Sequence, residues 1–230
     1  MAKVWAGVIS LMVLFCFNAG AVTAQSIFEY QTYYEFQGER VKSSNPVDSF
    51  SIEIGDLKDN VRIVKWSKQE GKEYNIETYL LDKEWATIEW DVEDSKDSLR
   101  YSAVREGNTL IIDGEIKNNR IKKEISIDEA PFYYNPKLGL RYLVNSENQD
   151  MFFWAMRHDN LDIFKMKALK KGKETIKVNG IDVEAVRVDW AATDGLSKYF
   201  TRTYWFRSSD GNFIKQKVSG TKVRGLVNER

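Results

Sequence analysis

The chain has one cysteine, one histidine and no net charge, and each scarcity closes a class of function. Cys16 lies within the first two dozen residues, so beyond them no disulfide can hold the chain together, although an oxidising compartment would permit one. His158, standing alone, excludes multi-histidine metal sites and would have to serve by itself in any histidine-based triad. Without Lys3 there remain 33 basic against 34 acidic residues, which leaves no overall electrostatic pull toward nucleic acid. Gly-x-Ser-x-Gly, His-Glu-x-x-His and a phosphate-cradling glycine loop are all missing. The expectation is a protein that is not an enzyme and that holds no cofactor or metal.

What is present begins at the N-terminus. Met1 to Ala24 carries one positive charge at Lys3, an apolar run from Val4 through Phe17, and a small-residue close on Val22-Thr23-Ala24. That order reads as a secretory signal peptide cleaved after Ala24, leaving a single β-rich exported domain over residues 25–230. The rival is an uncleaved inner-membrane anchor, because apolar character reaches from Val4 to Val22, close to the roughly 20 residues that span a bilayer. Phe15 before Cys16 argues against lipidation, which wants a small residue there. Either way the domain lies outside the cytoplasm, in the periplasm if the peptide is removed.

Turn signals punctuate the exported part. Gly71, Asp82-Lys83, Gly107-Asn108, Asn118-Asn119, Asn179-Gly180, Asp194-Gly195 and Asp210-Gly211 separate stretches rich in β-branched and aromatic residues. Asn-Gly and Asp-Gly supply the positive φ of two-residue hairpins, and their recurrence every 8–12 residues or so is an all-β pattern. Alternation agrees. Phe28, Tyr30, Thr32, Tyr34 and Phe36 share one face, as do Phe50, Ile52 and Ile54, while Ile121, Ile125 and Ile127 oppose Lys122, Glu124, Ser126 and Asp128. Phe200, Tyr204 and Phe206 lie opposite Tyr199 and Trp205, which predicts a strand covered on both sides. The expected fold is mainly β, a large antiparallel meander curved into an open, unclosed barrel.

One segment interrupts it. Asn135 suits an N-cap, Pro136 the first helical position, and Leu140, Leu143 and Val144 follow at helical spacing, predicting a helix of about ten residues across the concave side of the sheet. Met151–Arg157, apolar almost throughout, is read as a strand.

Four features invite a functional reading. His158 reads as a surface or turn histidine. The acidic loop Asp91 to Asp97 has the carboxylates Ca²⁺ prefers but lacks the turn glycine and distal glutamate of a calcium loop, and Lys96 intrudes; a solvated hairpin is the simpler account. Lys165, Lys167, Lys170, Lys171, Lys173 and Lys177 read as guards of an exposed strand against edge pairing, with a weak contact to anionic membranes through Lys165, Lys167, Lys170 and Lys171 as the alternative. The aromatics carry the most weight, since Phe132-Tyr133-Tyr134 and Phe152-Phe153-Trp154 flank the helix. Most aromatics fill cores. A helix laid over an aromatic curved sheet also makes an apolar ligand cavity, for which the candidate lining is Tyr133, Tyr134, Leu140, Phe153, Trp154 and Tyr204.

Three stretches together carry a resemblance. They are Arg105-Glu106-Gly107-Asn108 leading into Ile111-Ile112-Asp113-Gly114, then Ile127 to Tyr134, then Val178-Asn179-Gly180 through Trp190 to Tyr204-Trp205-Phe206-Arg207 and Asp210-Gly211-Asn212-Phe213-Ile214. Over roughly Arg105 to Val218 this order resembles uncharacterised exported bacterial proteins of the lipoprotein-localisation-factor-like superfamily. The resemblance implies an unclosed antiparallel barrel with a helical lid and, by analogy with lipoprotein sorting, carriage of acyl chains; it transfers no catalytic residue. The leading expectation is therefore a periplasmic carrier or binding protein for an apolar or lipid ligand. An envelope structural or assembly protein binding others through a sheet edge is the second, and an extracytoplasmic hydrolase using paired carboxylates the third.

Overall fold

The computed structural model describes residues 25–36, 39–43, 48–55, 58–70, 72–158, 160–178, 180–193, 201–219 and 222–229. Residues 1–24, read from sequence as an export signal, and the turns at Gly71, Asn179 and Asp194-Gly195 lie outside the described residues, as do the side chains of Thr32, Tyr34, Phe36 and Phe50. The described elements are β1 (Gln25–Phe36), β2 (Glu39–Ser43), β3 (Asp48–Ile54), β4 (Val61–Glu70), β5 (Glu73–Asp82), β6 (Thr87–Asp94), β7 (Leu99–Glu106), β8 (Thr109–Ile116), β9 (Asn119–Ser126), α1 (Pro136–Gly139), α2 (Arg141–Asn145), β10 (Asp150–Met156), β11 (Ile163–Val178), β12 (Ile181–Ala192), β13 (Thr201–Arg207), β14 (Phe213–Ser219) and β15 (Lys222–Glu229).

The strands form one antiparallel sheet in the order β10-β11-β12-β13-β14-β15-β1-β3-β4-β5-β6-β7-β8-β9, with β2 paired to β1 off this path. Two meanders are thus joined through β1 and β15, whose register sets Thr32 opposite Arg224. The sheet is mainly β, open and barrel-like. Its two ends, β9 and β10, are neighbours in sequence, so the segment between them, which carries both helices, passes from one end of the sheet to the other.

Turn chemistry explains the β8–β9 and β5–β6 connections. Lys117 and Asn118 both adopt positive φ (51° and 63°), the pair that a two-residue hairpin with the right twist needs, one position earlier than the asparagine pair suggests. The β5–β6 turn is longer than Asp82-Lys83 predicts. The Asp82 carboxylate accepts from the Glu84 and Ala86 amides and its carbonyl from the Trp85 amide, which holds residues 83–86 out of the ladder and starts β6 at Thr87. β10 is a strand, as the apolar run predicts.

One face of the strands is dry. Phe28, Tyr30, Ile52, Val64, Trp66, Tyr79, Leu81, Trp90, Val92, Tyr101, Leu110 and Ile112 are all buried there, the two-residue period of the sequence made concrete. β9 is the exception: at the end of the sheet its isoleucines are only half-buried. Trp205, expected to be covered, is half-buried on the outer face beneath Lys215, whose ammonium lies 5.3 Å from the ring centroid.

The predicted ten-residue helix is two short helices with a break at Leu140. Asn135 caps the first, its side chain accepting from the Lys137 amide. Leu138, Leu140, Leu143 and Val144 are buried beneath it. Gly139 is required here: a Cβ would meet the Tyr133 ring at 2.3 Å, so the helix seats directly on that side chain.

Candidate functional site

The segment before the lid is pinned on both sides. Phe132 accepts from the Thr87 amide at the start of β6, while Tyr133 donates to the Trp154 carbonyl and Trp154 donates to the Pro131 carbonyl on β10. Asp128 anchors it further, accepting from the Trp154 indole at 2.7 Å and pairing with Lys165. The bonds from Lys165 and Trp154 hold its carboxyl at about 2, below the usual aspartate value.

Of the six predicted lining residues, Tyr133, Phe153 and Tyr204 belong to one chain of rings beneath the helices, Tyr134 to a second, and Leu140 to the helical segment itself. Tyr133 packs on Phe153 (5.4 Å between ring centroids), Phe153 on Trp190 (5.9 Å), Trp190 on Tyr204 (5.3 Å), Tyr204 on Phe213 (5.2 Å), and Phe213 on Tyr30 (5.5 Å). Tyr134 joins a second cluster with Tyr79 and Trp90, its hydroxyl 2.8 Å from that of Tyr101. Leu140 is fully buried above them. Trp154 stands apart, half-buried on the outer side against Asp128 and Lys165. The rings of the floor touch each other, and the space left between floor and lid is a cavity of about 20 Å³ lined by Phe28, Tyr30, Ile52, Trp66, Leu138 and Phe213, with Arg141 and Lys137 at its margin. That volume suits about one water.

A polar cleft of about 330 Å³ opens at one mouth of the barrel. Its wall is the inward face of β4 to β6, where Trp66, Glu77, Asn75 and Asp94 follow the alternation of the buried core, and Asn135, Lys137, His158 and Arg224 face them from other elements. Asn75 donates to Asp94 at 2.8 Å. The Tyr79 hydroxyl donates to Glu77, and Asn135 reaches that hydroxyl from the helix cap at 3.5 Å. Burial pushes the Glu77 carboxyl up against the opposing pull of the Tyr79 hydrogen bond and of His158. His158 is an exposed turn residue, as its sequence context suggests, and it also borders the rim of this cleft. Glu77 is the residue that motif reading misses. Its signal is a carboxylate at the parity of Tyr79 and Leu81, where the strand pattern asks for an apolar residue.

The remaining charged features are accounted for locally. Asp94 accepts from the amides of Lys96 and Asp97, so the acidic loop caps its own turn. Lys167, Lys173 and Lys177 pair with Asp150, Glu184 and Asp182 at 2.9, 2.9 and 3.3 Å, and Lys170 donates to the Ser146 carbonyl. Lys171 is exposed on the part of β11 that extends past β10 and has β12 beside it.

No family model and no curated protein matches the sequence. Among solved structures the chain is similar to a β-barrel-like protein of domain of unknown function DUF1849 from Brucella abortus, at 9% identity and a TM-score of 0.57, covering 89% of this chain and 96% of that one. The hypothetical lipoprotein YmcC from Escherichia coli shows 11% identity, 94% and 92% coverage, and a TM-score of 0.33. At such identities the Brucella likeness speaks for the fold alone, and that fold is an open β-barrel-like sheet.

Proposed function

We propose that this chain is an exported, non-enzymatic carrier or binding protein for an apolar or lipid ligand, working in the periplasm in the manner of lipoprotein-localisation factors. One observation carries the reading: α1 and α2 lie over the aromatic concave face of a sheet whose ends do not pair with each other among the described residues. A closed, continuous core would need no such cover. The helices sit in the connection between the two sheet ends, so they can lift without breaking a strand ladder. Lifting exposes the Tyr133–Phe153–Trp190–Tyr204 floor, and an apolar ligand that covers it recovers about 25 cal/mol for each Å² removed from water.

The test is native mass spectrometry with solvent extraction on protein purified from periplasm without detergent. The expected result is a co-purifying apolar molecule, retained less well by the double variant Phe153→Ala, Tyr204→Ala than its residual stability accounts for. A clean mass in every preparation of folded protein overturns the proposal.

A second reading, a carboxylate hydrolase, draws on Glu77 and Asp94 sharing one wall of the mouth cleft beside His158. A carboxyl whose proton burial holds more tightly is suited to general acid work. Under this reading Glu77→Gln abolishes turnover of a glycoside or ester panel; absence of any turnover by the wild type removes it.

A further inference from the structure

Two guanidinium groups converge on one indole, and one of them, that of Arg141, also lines the small cavity. The Arg62 centre lies 4.1 Å and the Arg141 centre 4.4 Å from the Trp85 ring centroid. Arg141 projects from α2 and is 9% exposed; Arg62 is the second residue of β4 and is half-buried. Like charges gathered in a poorly solvated place repel each other, and such groups are normally paired with carboxylates. Here they are not. Neither arginine enters an ion pair among the described residues, and the Nε of each is buried without a hydrogen-bond partner. Arg141 makes one hydrogen bond, from Nη2 to the Asp210 carbonyl at 3.1 Å.

The nearest carboxylates are engaged elsewhere. Asp82 caps its own turn through the Glu84 and Ala86 amides, and Asp210 pairs with Arg207 at 3.0 Å while accepting from Asn212. Stacking on Trp85 offsets part of the desolvation, since a cation over an indole is stabilised by the ring quadrupole, but it leaves the in-plane N–H donors free to turn toward a ligand. Those donors match carboxylate and phosphate oxygens in pairs. Trp85 itself is held at φ +63°, a conformation bulky residues seldom adopt, by the Asp82 turn.

We propose that Arg62 and Arg141, gathered on Trp85, bind the anionic headgroup, carboxylate or phosphate, of an amphipathic ligand whose chain lies on the aromatic floor. Arg141 supplies the continuity, because it also borders the small cavity lined by Phe28, Tyr30, Ile52 and Phe213. This rests on the carrier reading and narrows it from any apolar ligand to an anionic amphiphile.

The full chain, expressed with its own N-terminal segment and freed of lipid, is titrated calorimetrically with decanoate, decyl phosphate and decanol below their aggregation limits. At least one anion is expected to bind about tenfold or more tighter than decanol, and the better of the two identifies the headgroup chemistry. Arg62→Gln and Arg141→Met each remove the anion preference while leaving decanol affinity unchanged; Arg62, half-exposed, is the variant that keeps the test valid if Arg141→Met does not fold. Equal binding of all three ligands, or anion preference surviving in the folded variants, overturns the arginine site and leaves the carrier reading standing. Arginine-dependent binding of inorganic phosphate without binding of any decyl chain overturns the carrier reading and with it the amphiphile. Binding of neither overturns both.

Discussion

Glu77 sits on the buried parity of β5, and its protonation is coupled to folding. Burial raises its carboxyl above the ordinary glutamate value of about 4.3, so the folded chain holds that proton more tightly than the unfolded one. Its contribution to stability is present below that ordinary value and is lost as pH rises through the raised folded value. Glu77→Gln, which keeps an acceptor for the Tyr79 hydroxyl, is therefore expected to melt above the wild type at neutral pH, with the gap shrinking toward pH 4; thermal melts across that range check it. Asp128 works in the opposite sense. Its carboxyl falls from 3.8 to about 2, so what it contributes is intact above the unfolded value and lost as pH falls toward 2. Asp128→Asn should flatten the loss of stability between those values in acid unfolding curves. Glu77 was visible in sequence as a break in alternation. The clustering of Arg62 and Arg141 was not, because 79 residues separate them and no local period links a strand start to a helix.

Gly139 sets the distance between lid and floor. A methyl group there would overlap the Tyr133 ring, so Gly139→Ala is expected to destabilise by about 1–3 kcal/mol, the usual cost of overpacking, measured by urea denaturation. Phe153, fully buried between Tyr133 and Trp190, should cost about 3–5 kcal/mol when cut to alanine in the same assay. The helix was legible from Asn135-Pro136 and the leucine spacing, since capping and periodicity are local. Its division at Leu140 was not, since Leu140 itself continues the helical spacing of apolar residues. The aromatic triplets were legible as important, but not the sorting of Phe153 inward and Trp154 outward, which depends on strand register.

Among the described residues neither end of the sheet has a further strand beside it, β10 carrying only the bridge between Phe132 and Trp154, and stability should grade accordingly. Amides of β9, whose side chains are largely exposed, are expected to exchange with deuterium well before those of β5 to β7, which have strands on both sides and buried faces. Uniform protection across the sheet, read by hydrogen-exchange mass spectrometry, would show that the ends are covered in solution.

By itself the sequence determined that short antiparallel strands succeed one another, that Phe28, Tyr30 and Ile52 turn inward and that a helical segment interrupts the strands, because turn chemistry and side-chain period act over a few residues. The tertiary structure alone decided that β15 returns to β1, tied again where the Tyr30 hydroxyl donates to the Phe213 carbonyl across 183 residues. It alone brought Glu77 beside His158 and Arg62 beside Arg141. Those meetings follow from sheet order and curvature, and contact between residues so far apart in the chain leaves no periodic trace along it.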